Sequence, residues 1–262
     1  MREVIGDTGP AVLLLPGGAE AVDGFFPGLV EGLRSDPGAR VVLIDRAGTE
    51  GSDTEGALAD AGHDLHGALL DLGVGPVTVV GQSLGGAVAL LLARDHPEDV
   101  AGLVLLDPTP VSDPALSAKV EKQATSLIRF ANLPLAGGLV RALLRLQTKR
   151  VGKHHGDRPD VQAALATMNR LDLNRLGRAV KGLGDLSAGF DVAQVPRVPT
   201  VIVTADRKPG DPARVAHERL AQALGARLVS WPKSEHAVHL THPAEVLEVV
   251  REVLHGVSEN ST

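Results

Sequence analysis

The segment Gly81-Gln82-Ser83-Leu84-Gly85-Gly86 joins a Val-rich run to an apolar helical stretch. In a G-x-S-x-G pattern of this kind a strand turns abruptly into a helix, with the Ser at the strained apex. Gly81 and Gly85 are small because neighbouring backbone crowds such a turn. The Ser83 hydroxyl then projects from the sheet edge as a nucleophile, and the Leu84 N–H, at a helix N-terminus, can stabilise an oxyanion. Histidines recur at 236, 239 and 242. On a helix that spacing drifts off one face, Pro243 interrupts it, and no carboxylate stands as in H-E-x-x-H, so metal ligation is not expected. His63, His66, His154 and His155 read as solvated residues. Asp107 ends an apolar run just before Pro108, where a carboxylate is costly unless it is used or paired; a turn-forming role beside Pro108 and Pro110 stays open.

These residues need elements to hold them. Continuous apolar runs at 11–16, 40–45, 76–81 and 101–107 alternate with amphipathic stretches at 25–34, 58–72 and 85–95. Such runs separated by helices predict a parallel sheet buried on both faces. Each run ends in Gly, Pro or Asp, so polar residues gather at the carboxyl edge, where open α/β sheets carry their sites. From 111 to 196 the pattern changes to four helical stretches, near 113–131, 134–150, 159–171 and 174–186. That insertion has 13 Lys or Arg against 7 Asp or Glu, whereas the remainder has 13 against 25. Alternation then resumes with a strand at 198–204, a helix at 212–224, a strand at 227–231, a helix at 244–254 and a frayed polar tail at 257–262. The expected organisation is a core of residues 1–110 and 197–262 with a helical cap at 111–196.

Composition removes several classes of function. The 262 residues carry a net charge of −6, and only 2% of them are aromatic. Phosphate-backbone binding needs excess cations and base stacking needs rings, so nucleic acid is not an expected partner. Cysteine is absent, which excludes disulfides, thiolate chemistry and Cys-ligated zinc. No signal-like N-terminus and no apolar run of membrane length is present, and the expectation is a soluble, cytoplasmic protein.

The chain resembles the α/β-hydrolase fold superfamily over nearly its whole length. The resemblance is carried by Leu15-Pro16-Gly17-Gly18 after the first run, by Asp45-Arg46-Ala47-Gly48-Thr49-Glu50-Gly51-Ser52, by the turn at Ser83 and by Glu235-His236-Ala237-Val238-His239-Leu240. It departs from the family at Pro16, where a His is usual, and at Glu235, where a Gly is usual. The resemblance implies a mostly parallel sheet of eight strands or slightly fewer, with the cap inserted after strand 6. It implies His236 as general base and the Gly18 N–H as a second oxyanion donor, with Asp45 and Arg46 bracing loops by a salt bridge. The acid that orients His236 is Asp107 or Asp206. Relatives that share an L-V-L-x-D-P segment place it as Asp107, while the common family position lies near Asp206 to Asp211. The expected activity is cofactor-free hydrolysis of an ester or related acyl bond of a small, largely apolar substrate through an acyl-enzyme. Thioester or carbon–carbon hydrolysis, acyl transfer, cofactor-free peroxidase-like chemistry and non-catalytic ligand binding are the alternatives. An apolar face in the cap, from Leu127 to Leu146, fits either helix packing or an acyl pocket, and its basic excess either faces water or attracts an anionic substrate.

Overall fold

The computed structural model describes residues 1–133, 138, 158–168 and 172–260. Its centre is a seven-stranded sheet built from β1 (Arg2–Ile5), β2 (Ala11–Leu15), β3 (Arg40–Ile44), β4 (Val77–Gln82), β5 (Val100–Leu106), β6 (Thr200–Val203) and β7 (Arg227–Val229). The strand order is β1-β3-β2-β4-β5-β6-β7. All neighbours are parallel except β1, which pairs antiparallel with β3. From β2 the chain moves to β3 on one side and then to β4 on the other. That reversal opens a crevice at the carboxyl ends of β2 and β4.

Alternate residues of each strand face opposite layers, as the pleat requires. Leu13, Leu15, Val79, Leu103 and Leu105 pack in one cluster with helices α2 (Ala61–Leu72), α3 (Leu84–Asp95) and α8 (Pro212–Leu224). Val12, Leu14, Val80, Val104 and Leu106 pack in the other with α1 (Leu29–Ser35) and α10 (Pro243–Asn260). Burial on both faces is why these strands read as unbroken apolar runs. The sheet-edge strand β1 is exposed to half-buried and carries no such run.

Between β5 and β6 lie α4 (Pro114–Ala131), α5 (Pro159–Met168), α6 (Leu173–Val180) and α7 (Leu183–Ala188). The insertion follows the fifth strand, not a sixth, because only β1 precedes the first apolar run. The expected helix at 134–150 lies outside the described residues. The stretch expected as one helix at 174–186 is two, separated where Gly182 adopts φ 81°. The expected frayed tail is also revised, since α10 continues to Asn260 and buries Val253 and Leu254. Glu121 of α4 accepts from Gly182 N (2.7 Å) and Gly184 N (2.9 Å), which joins it to the start of α7. Ser187 Oγ donates to Val111 O at 2.6 Å, near the root of the insertion. Leu127, Phe130 and Leu133 remain exposed. Among the described residues no helix is long and apolar enough to cross a membrane.

Candidate active site

Ser83 stands between the last residue of β4 and the first of α3, with φ 51° and ψ −116°. A non-glycine residue in such a region costs about 1–3 kcal/mol and persists only where its surroundings over-determine it. Here Ser83 N donates to Leu106 O (3.0 Å), while Ser83 O accepts from Gly86 N (3.0 Å) and Thr109 N (2.9 Å). The two motif glycines are required sterically. A Cβ on Gly85 would lie 2.2 Å from Leu15 O, and one on Gly81 would lie 2.5 Å from Gly85 O. The sequence therefore forces the turn, and the turn presents the hydroxyl at the crevice.

His236 lies in the loop after β7, which is held to the elbow by Gln82 Nε2 donating to His236 O at 3.0 Å. The ring's Nε2 is 3.0 Å from Ser83 Oγ, and its Nδ1 is 2.6 Å from Asp107 Oδ2. Asp107 is 1% exposed. It leaves β5 at φ 45°, and its N–H donates to Val203 O at 2.6 Å. Its Oδ1 accepts from Ala205 N at 2.9 Å, and Arg207 spans both oxygens, with Nη2 2.6 Å from Oδ2. Burial alone would raise the Asp107 carboxyl, but the hydrogen bonds from Arg207 and His236 and their charges outweigh it and hold the group well below the usual carboxylate range. Since an ionised carboxylate only accepts, His236 Nδ1 carries the proton and Nε2 is free to accept one from Ser83.

The structure thus brings together Ser83, His236 and Asp107. Asp206 lies elsewhere. It is exposed, and its Oδ2 accepts from Lys233 N at 2.8 Å while its N–H donates to Ser234 O at 2.9 Å. Asp211 caps α8 through Ala213 N and Arg214 N. Leu84 opens α3, whose first N–H groups have no partner inside the helix. Gly17 lies against Ser83, since a Cβ there would be 3.1 Å from Ser83 Cβ. Gly18 takes φ 53° and faces Leu176 of α6. Asp45 and Arg46 brace this region through separate partners instead of pairing with each other, and Asp45 Oδ2 forms an ion pair with the Met1 ammonium at 2.8 Å. Arg46 Nη2 donates to Pro16 O (3.2 Å) and Gly18 O (2.9 Å), and Asp45 Oδ1 accepts from Val22 N at 2.8 Å. Beside the loop, Glu20 is buried and pushed up to about 7 by burial and by the charge of Glu50.

The remaining histidines have separate fates. His239 is buried and stacks on Phe25, with ring centroids 4.4 Å apart, and burial together with the nearby His236 lowers it to about 3. His242 Nδ1 meets Thr241 Oγ1 at 3.0 Å. His63 and His66 are not simply solvated. His63 Nδ1 is 2.6 Å from His96 Nε2, and His66 Nδ1 is 2.7 Å from Asp99 Oδ2. Ligand atoms of His66, His96 and Glu98 come within 4.8 Å of one another. The His66 and His96 rings, however, stack at 3.8 Å and 6°, so their in-plane lone pairs run side by side instead of converging on one ion. His154 and His155 lie outside the described residues.

Sequence reasoning missed Gln82, Arg207 and His217. His217 is buried, with Nε2 2.8 Å from Pro108 O and Nδ1 2.9 Å from Thr204 Oγ1. Burial is the main cause that lowers its pKa. The one available signal was Arg207's place in a Thr-Ala-Asp-Arg segment directly after a strand.

Known proteins share this fold. A family model described as the alpha/beta hydrolase fold matches residues 10–243. The pimeloyl-[acyl-carrier protein] methyl ester esterase of Aromatoleum aromaticum is 29% identical over 228 residues, covering 84% of this chain and 89% of that protein. The monoglyceride lipase of Mus musculus is 25% identical over 190 residues, covering 70% of this chain and 57% of the lipase. A solved thermophilic esterase from Thermogutta terrifontis superposes with a TM-score of 0.72 at 21% identity, covering 98% of this chain and 93% of that one. With a parallel sheet, a glycine-flanked serine at the end of β4 and a match over most of its length, the chain belongs to the alpha/beta hydrolase fold family.

Proposed function

We propose that the protein is a serine hydrolase that cleaves a carboxylic ester of a small, largely apolar substrate through an acyl-enzyme. The observation that carries this reading is the line of contacts from Ser83 Oγ to His236 Nε2 (3.0 Å) and from His236 Nδ1 to Asp107 Oδ2 (2.6 Å). A hydroxyl is a weak nucleophile unless a base takes its proton as it attacks, and an oriented imidazole is the base suited to neutral pH. Ser83 Oγ attacks the carbonyl carbon and its proton passes to His236 Nε2. Asp107 keeps the Nδ1–H tautomer and stabilises the imidazolium. The N–H groups of Leu84 and Gly18 hold the oxyanion. His236 then gives the proton to the departing alcohol as the C–O bond breaks. Water, deprotonated by His236, attacks the acyl-enzyme, and His236 returns that proton to Ser83 Oγ as the acyl–oxygen bond breaks and the acid leaves. The names of the relatives, a methyl ester esterase and a monoglyceride lipase, support an ester as the bond cleaved. The described helices of the insertion, α4 to α7, serve as a cap over the crevice, a role supported by the approach of Leu176 to Gly18 and by Arg175 Nη1 donating to Thr49 O at 2.6 Å.

The test is intact-mass labelling with a fluorophosphonate, followed by a panel of p-nitrophenyl esters of increasing acyl length. A single adduct on the wild type that is absent in Ser83→Ala, with turnover of at least one ester, is the expected result. Well-folded wild type that takes no adduct overturns the reading.

A further inference from the structure

We propose that Arg207 is a positioning residue of this site: its guanidinium clamps both oxygens of Asp107 and so fixes the charge and orientation on which His236 depends. This rests on the reading of Ser83, His236 and Asp107 given above. A buried carboxylate has about four lone-pair sites to satisfy. Those of Asp107 are met by protein donors alone: Ala205 N and Arg207 Nη1 on Oδ1, and Arg207 Nη2 and His236 Nδ1 on Oδ2. A bidentate guanidinium fixes the plane of a carboxylate as well as neutralising it. Because His236 shares Oδ2 with Arg207, that plane also decides where Nδ1, and therefore Nε2, must point.

The sheet makes this meeting possible. Leu106 of β5 is in register with Val203 of β6, so Asp107 and the Thr204–Arg207 segment emerge side by side at the carboxyl edge. Arg207 is in turn held from behind. Asp211 approaches its Nε at 3.6 Å, and Arg214 Nη1 donates to its carbonyl at 2.9 Å. The other titratable groups facing the centre are neutral or shared. His217, whose Nδ1 is 3.7 Å from Asp107 Oδ1, is kept uncharged by burial, and so is His239 against Phe25. Arg207 is therefore the cation that balances Asp107 in the resting state.

Two consequences follow. With Arg207 in place, Asp107 stays an anion throughout the working range and never competes with His236 for the serine proton. Without its charge, the Asp107–His236 pair takes up a proton at higher pH, because a positive neighbour no longer opposes protonation.

The experiment uses Arg207→Gln and Arg207→Lys. Two profiles are measured against pH: the fluorophosphonate labelling rate at Ser83, and the NMR shift of the His236 ring carbon. In Arg207→Gln the midpoint of both rises by about one pH unit, the shift expected for loss of a unit charge close to the pair. The plateau rate falls about 10- to 100-fold as the imidazole loses its alignment. Arg207→Lys keeps the charge and loses the fork, so its midpoint stays within a few tenths of a unit of wild type while its rate still falls. A folded Arg207→Gln with the wild-type midpoint overturns the proposal, because a merely structural arginine would lower thermal stability without moving a titration. If Arg207→Gln does not fold, Arg207→Lys decides: a reduced rate at an unchanged midpoint supports the clamp, and an unchanged rate overturns it. If wild type takes no label, the NMR midpoints still judge Arg207, and the failure falls on the nucleophile instead.

Discussion

Two carboxyl groups are buried beyond the carboxyl ends of the strands, one beyond β5 and one in the loop beyond β2, and they behave in opposite ways. Asp107 is 1% exposed and Glu20 6%. Asp107 is surrounded by donors, whereas Glu20 Oε2 finds no hydrogen-bond partner among the described residues. Asp107 is held well below the usual range, and Glu20 is pushed up to about 7. Burial by itself favours the neutral acid in both, so the donors decide the outcome. One group is held as an anion against the His236 ring. The other gains and loses a proton near neutrality, two residues from the loop assigned to the oxyanion.

The strongest way to break this contrast is Asp107→Asn, which keeps the shape and removes the charge. Labelling at Ser83 and ester turnover should fall about 1,000- to 10,000-fold, as when a buried triad carboxylate is replaced by an amide that favours the wrong tautomer. A loss below tenfold would remove Asp107 from the reaction.

Asp107→Ala should also destabilise the fold by about 3 kcal/mol in urea titration at pH 7, because Arg207 loses its bidentate partner and keeps only Asp211 at 3.6 Å. A depressed acid contributes stability that is present above its unfolded value near 4 and is lost as pH falls through its folded value. The gap between wild type and Asp107→Ala should therefore stay constant from pH 8 to about pH 5 and narrow below about pH 4.

Glu20 carries the opposite sign. Its raised folded value means that its contribution is intact below about 4.5 and is lost as pH rises through about 7. Glu20→Gln should consequently match wild type at pH 5 and exceed it by about 1–2 kcal/mol at pH 8 in the same urea assay, after allowance for partial solvent screening. An identical difference at both pH values would erase the distinction between the two groups. The smallest effect belongs to Asp206→Asn. It should keep the labelling rate within about twofold and cost about 0.5–1 kcal/mol, since it loses part of one exposed hydrogen bond.

Much of this architecture is readable in the residues. Five of the seven strands, β2 to β6, appear as apolar runs because both of their faces are buried, and the turn at Ser83 is readable because its glycines are dictated by backbone 2.2 and 2.5 Å away. The half-buried β1 has no such mark. The break between α6 and α7 rests on one left-handed glycine, which helical periodicity does not register. The choice between Asp107 and Asp206 was not readable, because each follows a parallel strand that ends at the same edge. What separates them is local geometry: Asp107 leaves its strand at φ 45° under His236, whereas Asp206 is turned to the Lys233 backbone. Arg207 and Gln82 acquire their partners only through tertiary proximity, as Glu20 acquires its burial.

The parallel sheet also imposes an order in time. Asp107 meets Arg207 across 100 residues, His236 meets Asp107 across 129, and Ser83 meets His236 across 153. All three pairings straddle the insertion between β5 and β6. Closing spans of that length costs chain entropy before any contact rewards it, and such pairings form slowly. Helices can coil and the first strands can pair while the site is still in pieces. The alignment of Ser83, His236 and Asp107 thus requires that the two halves of the sheet have already joined.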